Sequence, residues 1–181
     1  MHATFSGKDV EAIRQVCEGA VSAMGLHPTQ GAAFWEAYIT YEQALMKIKP
    51  SLEQFHRIRK IYHRQLSIPH QSLEQTMSTY SDWLISFNQE FPTLAAAVDT
   101  ANLQKIEERL SAAYEKALKA REERVPMEEL ITALPPCPSP GVPSPEHLKA
   151  WNQYIDFEIE KSKKTNPIRV QVRTNTAELF Q

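Results

Sequence analysis

The chain has 181 residues with 20 basic and 22 acidic side chains, a formal net charge of −2 and 42% hydrophobic residues. This length supports one domain with a buried core, and the near-neutral balance argues against a protein that binds nucleic acid over its whole surface. Cys17 and Cys137 form neither a disulfide framework nor a zinc motif, and no apolar run suits a signal peptide or a membrane span, so we expect a reduced, soluble, intracellular protein.

Apolar periodicity and helix-start signals predict six helices along the chain. Ser51-Leu-Glu-Gln54 and Ser72-Leu-Glu-Gln75 fit the capping box, and Pro145 follows Ser144 at a first helical position. No segment alternates polar and apolar residues as a half-buried strand does. The predicted helices cover roughly 8–24, 30–47, 51–66, 72–88, 98–124 and 145–163.

One aromatic pattern occurs twice: Trp, then Tyr three residues on, an aromatic residue at six and Glu at seven. Its copies are Trp35, Tyr38, Tyr41 and Glu42, and Trp151, Tyr154, Phe157 and Glu158. Met77, Tyr80 and Trp83 form a weaker copy in which Leu84 replaces the Glu. On a helix these offsets align the rings along one face, and their repetition indicates a repeat unit.

A second kind of helical segment precedes each copy of the pattern. These segments are Ile13–Ala20, Ile58–Leu66 with Tyr62 at its centre, and Leu110–Leu118 with Tyr114 at its centre. The chain therefore alternates two helix types and is predicted to be an all-α helical-hairpin solenoid, in which each hairpin buries its surface against the next. We expect the repeated Trp and Tyr side chains to be buried between adjacent helices.

The two patterns together resemble the HAT (half-a-TPR) repeat, found in scaffold proteins of RNA processing. The resemblance rests on Gly25–Gly31 leading into Trp35-Glu-Ala-Tyr38, on Arg64–Pro69, on Thr79–Trp83 and on Tyr154–Glu158. It implies a right-handed superhelix of about three hairpins over residues 8–171. Residues 125–145, with their prolines, are expected to be an insertion, and the tail 172–181 departs from the family pattern.

This resemblance also implies a function. We expect a non-catalytic scaffold in the nucleus that binds protein partners during pre-mRNA splicing, in assembly or recycling of the U4/U6 small nuclear ribonucleoprotein. A HAT scaffold of another RNA-processing complex, such as one for mRNA 3′-end formation, is an alternative. Any contact with RNA is then expected to run mainly through the partners, and neither a cofactor nor a membrane is implied.

A cluster of basic residues over 46–64 offers a different function. It contains Lys47, Lys49, Arg57, Arg59, Lys60 and Arg64 against a single acid. Clustered cations attract polyanions, so this basic strip is a candidate contact for RNA or for an acidic protein. The other interpretation is the solvated face of a helix whose opposite face carries apolar residues, which is common in amphipathic helices.

Catalytic and metal-binding motifs are lacking in the sequence. His56 and His63 lie seven residues apart, two helical turns, without a third ligand between them, so no metal site is expected. Glu42 and Glu158 could be interpreted as a catalytic carboxylate pair, but structural hydrogen bonds to a neighbouring helix suit their repeat positions better. Since no nucleophile–base set or phosphate-binding glycine loop is present, we do not expect an enzyme.

The C-terminal region predicts an incomplete repeat. Helix 145–163 should be followed by a partner helix that begins near Ile168, yet only Ile168 to Gln171 fit it. The pattern therefore indicates a fragment of a longer protein with a partly uncovered Trp151, Tyr154 and Phe157 stripe. We expect such a chain to self-associate, or to fray beyond residue 145 with fast amide exchange there.

Overall fold

The computed structural model describes residues 7–27, 30–134 and 144–165, which form eight helices and no strand. The prediction of an all-α fold is confirmed. The helices are α1 Gly7–Met24, α2 Gly31–Ile48, α3 Leu52–Leu66, α4 Leu73–Glu90, α5 Pro92–Ala96, α6 Thr100–Glu122, α7 Val125–Thr132 and α8 Pro145–Thr165. Most of the proline-rich loop, the expected partner helix near Ile168 and the tail 172–181 lie outside the described residues.

Two short helices were not expected from the sequence. The predicted helix 98–124 ends at Glu122, and residues 125–132, which were assigned to an insertion, form α7 instead. Both α5 and α7 carry a proline in their first turn, Pro92 and Pro126. Proline is tolerated there because the first backbone N–H groups of a helix have no partner inside the helix.

The helix starts follow the cap predictions in part. Ser51 Oγ accepts a hydrogen bond from Gln54 N at 3.1 Å, and Ser144 Oγ accepts one from His147 N at 3.3 Å. Ser72 makes no side-chain cap hydrogen bond. The side chain of Gln54 does not complete a capping box either, since its Oε1 accepts a hydrogen bond from Arg14 Nη2 at 3.2 Å.

The helices group into two compact units, one that ends at Leu118 and one that begins at Lys119, so the boundary falls within α6. In the first unit, helices that follow each other in the chain pack together from α1 to α5. In the second unit α7 packs on α8. Neighbouring helices therefore form hairpins, as a repeat architecture requires.

Most of the predicted repeat aromatics are buried. Trp35, Tyr38, Tyr62, Tyr80 and Tyr154 have at most 4% of their surface exposed, whereas Trp83, Tyr114, Trp151 and Phe157 are half-buried. The first unit has one continuous core in which the rings of α3 and α4 meet. Phe55 stacks on Phe87 with centroids 4.2 Å apart, and Tyr62 lies 5.1 Å from Tyr80.

Two glycines allow the close approach of α1 and α2. The indole Nε1 of Trp35 donates to the backbone oxygen of Gly25 at 3.0 Å. A Cβ at Gly25 would lie 2.8 Å from that indole nitrogen, and a Cβ at Gly31 would lie 2.7 Å from the Gly25 oxygen. Both positions therefore exclude a side chain, because either Cβ would overlap atoms of the turn.

Truncation of Trp35 tests this packing. The side chain is 3% exposed, so Trp35→Ala should lower the free energy of unfolding by about 3–5 kcal/mol through lost burial and a cavity. Val16→Ala is the control, because Val16 on α1 is 72% exposed and should cost less than about 0.5 kcal/mol. Denaturant unfolding measures both, and a loss below about 1 kcal/mol for Trp35→Ala would contradict the buried position.

Candidate protein-interaction site

The same four-residue contact joins successive helices, beginning with α1 and α2. Arg14 donates from Nε and Nη2 to the two carboxylate oxygens of Glu42 at 2.8 and 3.0 Å. Tyr38 forms a hydrogen bond with Glu18, and burial together with the negative charges of Glu18 and Glu42 raises the pKa of Tyr38 to about 12. Arg14 and Glu18 lie four residues apart, as do Tyr38 and Glu42, so each helix presents both groups on one face.

Helices α7 and α8 form the second copy with the same atoms. Arg124 donates from Nε and Nη2 to Glu158 at 2.7 and 2.9 Å, and the hydroxyl of Tyr154 donates to Glu128 at 2.8 Å. We call this arrangement the interhelix quartet. The structure thereby corrects the predicted pairing, because α7, and not the segment Leu110–Leu118 around Tyr114, precedes α8 in the repeat.

The α3–α4 pair occupies the quartet positions with different residues. Arg59 and His63 stand where the first copy has Arg14 and Glu18, and Tyr80 and Leu84 follow on α4. Leu84 cannot accept a hydrogen bond, and Arg59 Nη1 has no hydrogen-bond partner among the residues that the structure describes. Arg59 is 6% exposed and lies over the Phe55 ring, 5.6 Å from its centroid.

A carboxylate from α6 completes this altered quartet. The hydroxyl of Tyr80 donates to Glu107 at 2.7 Å, and His63 Nε2 lies 3.0 Å from the Tyr80 hydroxyl and 3.5 Å from Glu107. Burial raises the pKa of Glu107, but hydrogen bonds from His63 and Tyr80 outweigh burial, so this pKa lies below its usual value. Glu107 thus remains ionised where the quartet glutamates are missing.

Glu42 and Glu158 are the buried carboxylates of the two quartets. Each is almost completely buried, with 0% and 3% of its surface exposed, and each receives two hydrogen bonds from one arginine. Such bidentate pairs are strong and directional, and they leave the carboxylates inaccessible for proton transfer. Arg14 and Arg124 were not singled out from the sequence; the signal was an Arg four residues before Glu in the preceding helix.

A groove of about 570 Å³ lies in the first unit between α2 and α4. Tyr62 and Gln65 of α3 form its floor. A row of aromatic rings lines one side of the groove. The ring centroid of Trp83 lies 5.6 Å from that of Tyr62 and 6.2 Å from that of Phe87, and the centroids of Phe87 and Phe91 are 5.7 Å apart. Half-buried Trp and Phe rings in a groove are typical of the anchor positions in protein interfaces.

Negative charge dominates the rim of this groove. Glu36, Asp82 and Glu90 are exposed along it, whereas Lys47 is the one cation among its described lining residues. No ion pair of these three carboxylates occurs within residues 7–27, 30–134 and 144–165. Burial raises the pKa of Tyr62 at the floor, and the negative charge of Glu36 raises it further. The hydrogen bond from Gln43 lowers this pKa by less than burial raises it.

The structure divides the predicted basic strip. Lys47, Lys49 and Lys60 are exposed. The three arginines contact other groups of the protein: Arg57 donates to Glu53 at 3.3 Å, Arg64 donates to both Glu18 oxygens at 2.7 and 2.9 Å, and Arg59 is buried. RNA contact through this strip stays a prediction that depends mainly on the three lysines.

The described part of the chain contains no group of three or more His, Cys, Asp or Glu side chains that could hold a metal ion. None of its helices combines the length and apolar character that crossing a bilayer requires.

Comparison with known proteins gives one family and several relatives. Residues 4–177 match the family described as Suppressor of forked protein (Suf). Spliceosome associated factor 3, U4/U6 recycling protein, is 32% identical in Homo sapiens and 30% identical in Mus musculus over 164 residues, which cover 90% of this chain. The Danio rerio protein of that name is 31% identical over 84% of the chain. This chain spans only 13–14% of the length of these relatives.

The substitution Leu84→Glu tests whether Leu84 occupies the glutamate position of the altered quartet. If Leu84 occupies the glutamate position, the new carboxylate should pair with Arg59, so the two sites should couple by about 1–3 kcal/mol. A double-mutant cycle with Arg59→Met, followed by denaturant unfolding, measures this coupling. Leu84→Gln is the uncharged control and should couple much less, whereas equal coupling for Glu and Gln would contradict the assigned register.

The lowered pKa of Glu107 predicts that part of the free energy of unfolding depends on pH. Because its folded-state pKa is lowered from 4.5, this component is present above that value and is lost as the pH falls through the folded-state pKa. Glu107→Gln should therefore destabilise the protein at pH 7 and differ less from the wild type at pH 3. Glu108→Gln, at an exposed neighbouring position, is the control; a Glu107→Gln effect that is the same at both pH values would contradict the prediction.

Proposed function

Because this chain belongs to the Suppressor of forked family of HAT-repeat proteins, we propose that it is a non-catalytic scaffold that binds protein partners in RNA processing. The relatives are named for the spliceosome and for U4/U6 recycling. We extend this role to the present chain and propose that it acts in the nucleus, in assembly or recycling of the U4/U6 small nuclear ribonucleoprotein. The HAT-repeat domain is proposed to span residues 8–171.

The observation that carries this proposal is the groove between α2 and α4. Its aromatic floor provides apolar contact area, and its rim carries three carboxylates and one ammonium group. A polyanion such as RNA is repelled by that rim, whereas a protein surface can match it with its own cations. The buried glutamates are engaged by arginines, which supports a scaffold and not a catalyst.

The test is retention of U4/U6 particle proteins from nuclear extract by the immobilised full chain. A protein-binding scaffold should retain them after ribonuclease treatment, and retention should weaken only moderately between 50 and 200 mM salt, because the rim charges of the groove are screened while its ring contacts are not. RNA-mediated binding would instead fall steeply over that salt range, since each phosphate contact releases counterions.

A variant separates the basic strip from the scaffold role. Lys49→Glu and Lys60→Glu together reverse the two exposed cations of the strip that lie outside the groove. Under the proposed function this double variant retains the particle proteins as the wild type does. Loss of retention in the variant, together with sensitivity to ribonuclease, would favour direct RNA binding and overturn the proposal.

A further inference from the structure

The groove between α2 and α4 has features that specify what kind of segment can occupy it. Its lining residues run from Glu36 to Lys47 on α2 and from Gln75 to Glu90 on α4. At about 1.5 Å per helical residue these walls are roughly 16 and 22 Å long. An extended chain advances about 3.3 Å per residue, so the groove accommodates about five to seven residues of extended peptide.

The exposed charges of the groove select a basic segment. Glu36, Asp82 and Glu90 project from both walls, and none of them forms an ion pair within the described residues. Lys47 opposes them with a single positive charge. Lysine or arginine side chains of a partner can approach these carboxylates without breaking an existing pair of the protein.

The α4 wall adds a contact that a short cationic segment can use. The half-buried ring of Trp83 accepts either an aliphatic side chain or a guanidinium stacked on its face. Gln65 lines the groove and is fully buried; its Nε2 donates to Thr76 Oγ1 at 3.3 Å. Its Oε1 has no hydrogen-bond partner in the part of the chain that the structure describes, and it lies below the accessible surface of the groove.

We propose that this groove binds an extended, basic segment of a partner protein, in which Lys or Arg residues flank one apolar residue that packs on Trp83. The inference rests on the proposed function only in taking the ligand to be a protein. The flanking cations pair with Glu36, Asp82 and Glu90.

The probe is a fluorescein-labelled heptapeptide pool, Arg-Lys-x-Leu-x-Arg-Lys, with x degenerate, titrated with the full chain and followed by fluorescence polarisation. We expect saturable binding with a Kd in the micromolar range. A pool with Glu in place of every Lys and Arg, and a ten-nucleotide single-stranded RNA, should bind at least tenfold more weakly. Tighter binding of the RNA, or no binding of the basic pool, would overturn the proposal.

Matched charge reversals locate the site. The groove variant E36K/D82K/E90K should weaken binding of the basic pool at least tenfold. The control E108K/E115K/E122K makes the same change in net charge at exposed positions of α6 outside the groove, and its affinity should stay within twofold of the wild type. Equal losses for both variants would show that the peptide responds only to overall charge, and the proposed site would be wrong.

The indole resonance of Trp83 tests whether the peptide packs on this ring of the α4 wall. In a ¹H–¹⁵N spectrum the indole N–H of Trp83, assigned through Trp83→Phe, should shift on addition of the pool, while that of Trp151 should not. If the groove variant loses the peptide but still retains U4/U6 particle proteins, the groove does not bind a segment of those proteins; the proposed partner segment would then be wrong, and the scaffold role would depend on another surface. If the wild-type chain binds the peptide but retains no U4/U6 particle proteins, the proposed function would be wrong and the peptide site in the groove would stand.

Discussion

In both compact units a bidentate arginine–glutamate pair joins successive helices: one guanidinium donates two parallel hydrogen bonds to one carboxylate. Arg14 with Glu42, and Arg124 with Glu158, use the same pair of nitrogens and have distances within 0.1 Å of each other. A buried pair contributes little net stability compared with apolar packing, but loss of one member costs about 3–5 kcal/mol. The pair therefore mainly fixes the register of the two helices, because a shift by one residue would leave a buried charge without its partner.

The middle copy is informative because it lacks the pair and keeps the register. Leu84 stands at the glutamate position, and the α3–α4 interface relies on stacked rings such as Phe55 on Phe87. The cation of Arg59 is not matched by a quartet carboxylate, yet Glu107 lies close enough for the charge of Arg59 to lower its pKa. Charge and ring stacking are thus alternative means of joining consecutive hairpins in one chain.

Much of the fold could be predicted from sequence because its signals are local. Caps and apolar periodicity placed six helices near their observed bounds, and the Trp–Tyr–Glu spacing predicted buried rings such as Trp35 and Tyr154. Helix α7 was missed because residues 125–145 depart from the family pattern and were assigned to an insertion, although a first-turn proline such as Pro126 permits a helix.

Features that depend on distant residues were beyond local signals. Arg14 is 28 residues from Glu42 and Arg124 is 34 from Glu158, so the spacing of Arg four residues before Glu, which both arginines share, does not reveal the partner of either one. The basic strip was defined along the chain, whereas the direction of each side chain decides its surroundings: Lys60 is exposed and its neighbour Arg59 is buried. The groove likewise arises only when α2 and α4 come together over α3.

The α1–α2 interface combines apolar packing with a bidentate ion pair, whereas the α3–α4 interface relies on stacked rings, and this difference has a thermal consequence. Apolar contacts weaken on cooling, because their stabilisation carries a large heat capacity, whereas the desolvation penalty of an ion pair falls on heating. The α3–α4 interface, which bounds the groove, should therefore loosen first in the cold, and the α1–α2 interface should lose least as the temperature rises. Two hairpins of one repeat family would then have different temperatures of greatest stability within a single polypeptide.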